Sequence, residues 1–244
     1  MPRIAVFTEG LTEQILVRES LRRLVDPSKL SFDSYQLLAH DLRSVPYSYP
    51  NPPNPKAEFF FLIIDAHGDE GVLSAIKERE RDLIEKGRYD AILGLRDMYS
   101  DAYDKLAKGA ISPKVSARLT QTHAAVIQSM TYHKRIKLHY AIMETEAWIL
   151  AMHRLFRKLD PVLTPDFVVR KLGFNLTTVD PQVAFYRPSI RLNEVLSLVG
   201  RGYKKNRSDI ESICSKIERS DLDDITSNGR CASFQAFRTD LLAH

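Results

Sequence analysis

In IAVFTEGLTEQILVRESL, Ile4 to Leu21, an apolar run stops at Glu9-Gly10 and a helical pattern begins at once. Val6 and Phe7 close a strand. From Thr12 to Val25, the residues Ile15, Leu16, Leu21, Leu24 and Val25 fall at spacings that suit one face of a helix. The unit is a β-turn-α junction with a carboxylate at the turn. It is open to three readings: an ordinary turn, a phosphate cradle or a metal site.

The plan recurs along the chain. FFFLIIDAHG, Phe59 to Gly68, is a continuous apolar run ending in polar residues and glycine, the pattern of a central strand covered on both faces. Leu73 to Lys86 reads as a charged amphipathic helix. In YDAILGLRDMYSD a third apolar run, Ala91 to Leu95, ends in acids at Asp97 and Asp101. Helical character follows in Val115 to Met130. IKLHYAIMETEAWILAMHRLF then repeats the opening, with Ile136 to Met143 running into Glu144, Glu146 and a helix that carries Trp148, Ile149 and Leu155. Phe32 to Leu42 is a weaker strand candidate. The five prolines of SVPYSYPNPPNPK, residues 44–56, remove donors and fix φ, so a surface loop is expected there.

Alternating strands and helices predict right-handed crossovers and a mostly parallel sheet flanked by helices. In such sheets ligands bind at the carboxyl edge. From Leu159 the pattern changes to shorter helical stretches with the basic cluster RGYKKNR and a closing RCASFQAFRTDLL. The expected organisation is an α/β domain over residues 1–158 and a mainly helical C-terminal extension over 159–244, packed on it.

Composition narrows the classes. The 244 residues are enough for a substantial core, and the 35 basic and 31 acidic residues leave a net charge of +4, which permits nucleic-acid binding without demanding it. No apolar stretch reaches the roughly 18 residues of a membrane helix, and the chain enters a strand directly after Met-Pro-Arg, so a cytoplasmic protein is expected. Cys214 and Cys231 lack zinc-site spacing and read as two buried thiols. The scattered histidines and the absence of a GxSxG elbow give no sign of a Ser-His-Asp triad.

The strand-end acids choose among the chemistries. A phosphate cradle spells GxGxxG or GxxxxGK[ST], whereas Gly10 stands alone and Glu9 would repel a phosphate at that helix entrance. Magnesium fits better, because it takes oxygen ligands, one or two carboxylates and substrate phosphates. Glu9, Asp97 and Asp101 supply such ligands. If the segment after Asp97 is helical, Asp97, Asp101 and Asp104 share one face. The plainer reading is that acids near helix starts cap N–H groups and complement the dipole, and Glu13 fits that best. Asp104 reads as solvated surface, the strand-end Asp65-Ala66-His67 as a transition-metal site or, in preference, as a packed and hydrogen-bonded pair, and Trp148 as core in preference to a ligand stacker.

With these residues in view, the chain resembles the Toprim domain shared by topoisomerases, bacterial primases and nucleases of the overcoming-lysogenisation-defect family. The resemblance rests on Glu9-Gly10-Leu11-Thr12-Glu13 in the first turn, Gly68 after the next apolar run, and Asp97 and Asp101 after the third; it covers about residues 3 to 105. METEAW (Met143 to Trp148), GYKKNRSDI (Gly202 to Ile210) and RCASFQAF (Arg230 to Phe237) resemble a largely uncharacterised Toprim-like family encoded beside ABC-type ATPases. One departure is that the family's Asp-x-Asp is here Asp97-Met-Tyr-Ser-Asp101.

The resemblance implies a metal-dependent nuclease or phosphodiesterase acting on DNA or RNA, in phage defence, with an ABC-type ATPase as partner. It implies that Glu9 serves as general acid/base or metal ligand and that Asp97 and Asp101 hold Mg2+ or Mn2+. Glu146, and after it Glu144, would serve a second ion. Lys204 and Lys205 are candidate phosphate contacts, although a basic run also reads as a solvated face, and Tyr203 is a candidate stacker on a base. The alternative is a non-catalytic Toprim-like module that binds an ATPase or nucleic acid. Topoisomerase or primase chemistry fits less well, since 244 residues leave little room for the further domains it uses.

Overall fold

The computed structural model of the chain describes residues 1–45, 54–68 and 71–243. The strands are β1 (Arg3–Thr8), β2 (Leu30–Leu38), β3 (Asp41–Ser44), β4 (Phe59–Asp65), β5 (Ala91–Asp97) and β6 (Ile136–Ala141). Among them run α1 (Leu11–Leu24), α2 (Gly71–Arg81), α3 (Asp101–Ala107) and α4 (Pro113–Gln128). After β6 come α5 (Glu146–Ala151), α6 (His153–Leu159), α7 (Pro165–Leu172), α8 (Pro181–Ala184), α9 (Pro188–Ser197), α10 (Arg207–Cys214), α11 (Arg219–Ser227) and α12 (Ala232–Leu241). The chain is thus an α/β protein with a mostly parallel sheet flanked by helices and a helical C-terminal part. Most of the proline-rich loop expected at residues 44–56 lies outside the described residues. No helix among the described residues is long and apolar enough to cross a membrane.

The sheet runs β3-β2-β4-β1-β5-β6. β2, β4, β1 and β5 are mutually parallel, with Thr8 opposite Asp65 on one side and Leu95 on the other. The weak strand candidate at 32–42 is in fact a hairpin. Leu38 pairs with Asp41 across a two-residue turn in which Ala39 takes φ 54°, the positive φ such tight turns require. The connection after β1 leads to one side of the sheet and that after β5 to the other, so the strand order reverses between β1 and β5. This is the switch point at which open α/β sheets bind ligands.

Alternation along the buried strands fills both faces. Ala5, Phe7, Leu62, Ile64 and Ile92 pack with Val72, Ala75 and Ile76 of α2 and Ile127 of α4. Ile4, Val6, Phe61, Ile63 and Leu93 point the other way and are equally inaccessible. Gly94 is fixed by this packing, because a Cβ there would lie 2.6 Å from Leu138 Cδ1 and 3.0 Å from Ile76 Cδ1.

The chain divides into two compact units. The first comprises Met1–Arg96, Pro113–Tyr140 and Thr239–His244, and the second Asp97–Ser112 and Ala141–Arg238. At the heart of the second, every residue of α5 is buried. Trp148 stacks on Phe237 and meets Phe234 edge-on, with its Nε1 donating to Ser233 Oγ at 2.9 Å, so it is a core residue as expected. Arg230 ties the closing RCASFQAF segment to α5 by donating to the Ala151 carbonyl at 3.1 Å, and to Leu176 O at 2.6 Å. Cys214 and Cys231 are both buried and form no disulfide.

Candidate functional site

In the first unit the turn after β1 is relaxed. Gly10 is the N-cap of α1 with φ −160° and ψ −169°, extended backbone that any residue adopts. A Cβ on it would touch Glu13 Oε2 at an ordinary 3.4 Å. The tightness of the turn therefore does not explain the glycine. Glu9 donates its N–H to Leu95 O at 3.1 Å and sets its carboxylate 3.9 Å from Arg96 Nε. Glu13 lies buried in the first helical turn, where an acid complements the helix dipole. Asp65 closes its own turn, accepting from His67 N at 2.9 Å and pairing with His67 Nδ1 at 3.0 Å. That is the hydrogen-bonding role expected of the pair.

In the second unit the acids gather. Asp97, at the end of β5, is buried, and its Oδ1 accepts from both the N–H and the hydroxyl of Thr145 at 2.8 Å each. Glu144 binds Ser189 at the start of α9 through both carboxylate oxygens, 2.6 Å from the backbone N–H and 2.9 Å from Oγ. It thereby satisfies one of the N–H groups that a helix start leaves open. Glu146 is fully buried; its Oε1 accepts from Tyr203 Oη at 2.7 Å and lies 3.1 Å from Lys205 Nζ. Its Oε2 is buried without a hydrogen-bond partner.

Lys205 joins this cluster from the loop before α10, reaching Glu144 Oε1 at 3.4 Å as well. Desolvation works against its charge, but the fields of Glu146, Glu144 and Asp97 outweigh it, and the ammonium pKa is raised. Arg187 Nε stands 3.6 Å from Glu144, its guanidinium over the Tyr99 ring and Nη1 donating to Tyr99 Oη. Two residues of the cluster's backbone sit in the left-handed region without being glycine, Met143 at φ 65° and Lys205 at φ 54°. Such conformations cost on the order of 1–2 kcal/mol each and concentrate at functional sites.

The other sequence candidates lie differently. No helical turn links Asp97 to Asp101: residues 98–100 are non-helical and Ser100, at φ −157°, caps α3 through the Tyr103 N–H. The shared face drawn for Asp97, Asp101 and Asp104 on that premise does not form. Asp101 is exposed on the first turn of α3, and Asp104 accepts a hydrogen bond from Tyr186 Oη instead of lying free at the surface. Lys204 has an exposed side chain, and its backbone N–H donates to Asp209. Tyr203 is buried with its hydroxyl on Glu146, so the ring is not presented to a base. Thr145, Ser189 and Arg187 were invisible as site residues; the only sequence signal was the position of Thr145 inside METEAW.

The donor set can be matched to a divalent ion. Three carboxylates, Asp97, Glu144 and Glu146, face two cations, Lys205 and Arg187, leaving a negative charge and the partnerless Glu146 Oε2. A buried carboxylate oxygen with no donor costs roughly 1–3 kcal/mol or more, which a hard cation would relieve. No group of three or more His, Cys, Asp or Glu side chains among the described residues is placed to hold one ion. Glu146 and Asp97 are the carboxylates of this cluster that could each offer an oxygen to such an ion, and the described residues form no closed cage. No known protein family, curated protein or solved structure matches the chain.

Proposed function

We propose that the chain is a Toprim-type phosphodiesterase or nuclease that acts on DNA or RNA with Mg2+ or Mn2+. The observation that carries this reading is Glu146 Oε2, a buried anionic oxygen without a donor beside Asp97's unit-mate Lys205. When bound, a divalent ion would polarise a phosphoryl oxygen and lower the pKa of attacking water. Thr145 fixes the Asp97 carboxylate, and Tyr203 and Lys205 fix Glu146, so the two acids are oriented before substrate arrives. Lys205, kept protonated by its acidic neighbours, supplies positive charge for phosphoryl oxygens as negative charge develops. The roles of Glu9 in proton transfer and of Asp101 as a ligand come from the resemblance, as do phage defence and an ABC-type ATPase partner; Lys204 at phosphate rests on the basic run, and a cytoplasmic setting on the lack of a membrane-length apolar stretch in the sequence.

The test is cleavage of single-stranded DNA, duplex DNA and RNA by purified protein with Mn2+. Asp97→Asn, Glu146→Gln and Glu9→Gln should each lower the rate by about 100-fold or more. Undiminished cleavage by a folded Asp97→Asn, Glu146→Gln double variant would sink the assignment.

One observation favours a second reading. The Lys205 ammonium, within 3.4 Å of two carboxylates, is an internal counter-ion, and a cluster whose charge is partly offset from within suits a non-catalytic module that binds nucleic acid or an ATPase. Its signature is salt-dependent nucleic-acid binding without cleavage in any divalent metal.

A further inference from the structure

The second unit contains a cavity of about 520 Å³ lined by His153, Arg154, Arg157 and Lys158 of α6, Pro165 at the start of α7, and Thr177. That volume falls within the range of small-molecule sites, roughly 300–1,000 Å³. The charge of the lining is one-sided, since four of its residues are basic or histidine and none is acidic. Two of the four already have acidic partners. Lys158 Nζ lies 2.7 Å from Asp221 Oδ2 and 2.8 Å from Glu218 Oε2, and His153 Nδ1 lies 2.9 Å from Asp224 Oδ2, which Arg230 Nη2 also approaches at 3.6 Å. The other two are different. Arg154 and Arg157 are exposed, and neither forms an ion pair or a hydrogen bond among the described residues. Arg154, Arg157 and Lys158 stand at i, i+3 and i+4, on one helix face where like charges repel. A basic run of this kind is ordinarily a solvated face, but here its two unmatched guanidinium groups border a ligand-sized cavity.

We propose that this cavity binds a phosphate-bearing ligand of mononucleotide size, either a free nucleotide or one unit of a nucleic-acid strand. Arg154 and Arg157, one helical turn apart, each offer a planar fork of donors that matches paired phosphate oxygens. The aliphatic stems of these arginines and the ring of Pro165 supply apolar surface for a sugar or a base. Lys158 partly offsets Asp221 and Glu218, whose charge would otherwise oppose an anion. Thr177 is fixed by its own turn, with its N–H and hydroxyl both donating to Asn175 Oδ1, at 2.9 and 2.8 Å. With Lys158, His153 and Thr177 already held, only the two arginines remain to be ordered when the ligand enters, which keeps the entropic cost of binding low. Binding here requires neither the acid cluster around Glu146 nor a divalent ion.

Calorimetric titration of the full chain at low salt, without divalent metal, checks the site with three probes: adenosine monophosphate, adenosine and a thymidine dodecanucleotide. The monophosphate should bind about tenfold or more tightly than adenosine if the ligand is a free nucleotide, whereas binding of the dodecanucleotide alone identifies a strand as the source of the phosphate. Arg154→Glu and Arg157→Glu should each weaken that binding by about tenfold or more. The Arg154→Gln, Arg157→Gln double variant, which adds no acid beside Asp221 and Glu218, should do likewise while unfolding in urea as the parent does. Lys216→Glu makes the same charge change at an exposed position outside the cavity lining and should leave binding unchanged. The Asp97→Asn, Glu146→Gln variant should also bind as the parent does, which separates this site from the proposed catalytic one. Three results overturn the proposal: no binding of either phosphate-bearing probe, binding unchanged in the arginine variants, or an equal loss in Lys216→Glu, which would reveal only a diffuse positive field.

Discussion

Two strand-to-helix junctions share a sequence plan and differ in stereochemistry. After β1, Glu9-Gly10 passes into α1 through extended backbone, and the carboxylate lies 3.9 Å from Arg96 Nε. After β6, the chain passes through Met143 in the left-handed region, and Glu144, Thr145 and Glu146 engage a helix start, an aspartate, a tyrosine and a lysine. An apolar run followed by acids and a helical pattern describes both. The difference lies in what the rest of the chain brings to each turn: the second receives Lys205, Tyr203 and Ser189 from segments more than 40 residues away. Strain and buried charge are tolerated where many distant contacts hold them.

The largest way to break this comparison is to remove what anchors the second junction. Trp148→Ala empties a fully buried site next to Phe234 and Phe237 and should cost about 3–5 kcal/mol by urea denaturation. A loss below 1 kcal/mol would mean that the junction is not held by its core.

Next in size is Lys205→Met. Removing the counter-ion leaves Glu146 and Glu144 facing each other's charge, for an expected loss of about 2 kcal/mol, below the roughly 3–5 of a fully buried pair because 41% of the lysine side chain is exposed. Mn2+ should recover much of that loss if the cluster accepts a divalent ion. Recovery by Mn2+ in Lys205→Met and none in Lys205→Met, Glu146→Gln would place the ion at the Glu146 oxygen.

Acidification affects both units. Burial lowers the pKa of His123, His139 and His153, with Arg96 adding to the effect at His123, and Asp240 and Asp224 opposing it at the other two. Each holds its proton less well when folded, so the unfolded chain takes up protons first as pH falls through about 6.5. Stability contributed by these groups is present above that pH and lost below it, and the urea midpoint should fall between pH 7.5 and 5.5. The smallest expected effect is Gly10→Ala, within about 0.5 kcal/mol, since the backbone is relaxed and the added carbon makes an ordinary contact. A larger loss would show that the first junction is as constrained as the second.

How much was readable in advance differs between fold and site. β1, β4 and β5, with α1 and α2, follow from apolar runs and helical spacing, because those patterns are the direct image of burial on a sheet or helix face. The hairpin of β2 and β3 was blurred into one strand, since its turn rests on Ala39 and His40 and carries neither glycine nor asparagine. Asp97 and Glu146 were both singled out as strand-end acids, and the structure places both in the second unit's cluster. Lys204 and Lys205 were inseparable by composition. A left-handed backbone at Lys205 sends one ammonium to the acids while its neighbour stays exposed.

The amino-acid sequence by itself determined the α/β class, the parallel central strands and the supply of carboxylates at strand ends, all of which are local consequences of periodicity and of where apolar runs stop. Only the tertiary structure decided which of those acids are buried, that Lys205 pairs with two of them, that Glu144 caps a helix, and that one oxygen of Glu146 is left without a donor. Charge compensation in a buried site depends on distances of a few ångströms between residues far apart in the chain, and a linear pattern carries no record of those distances.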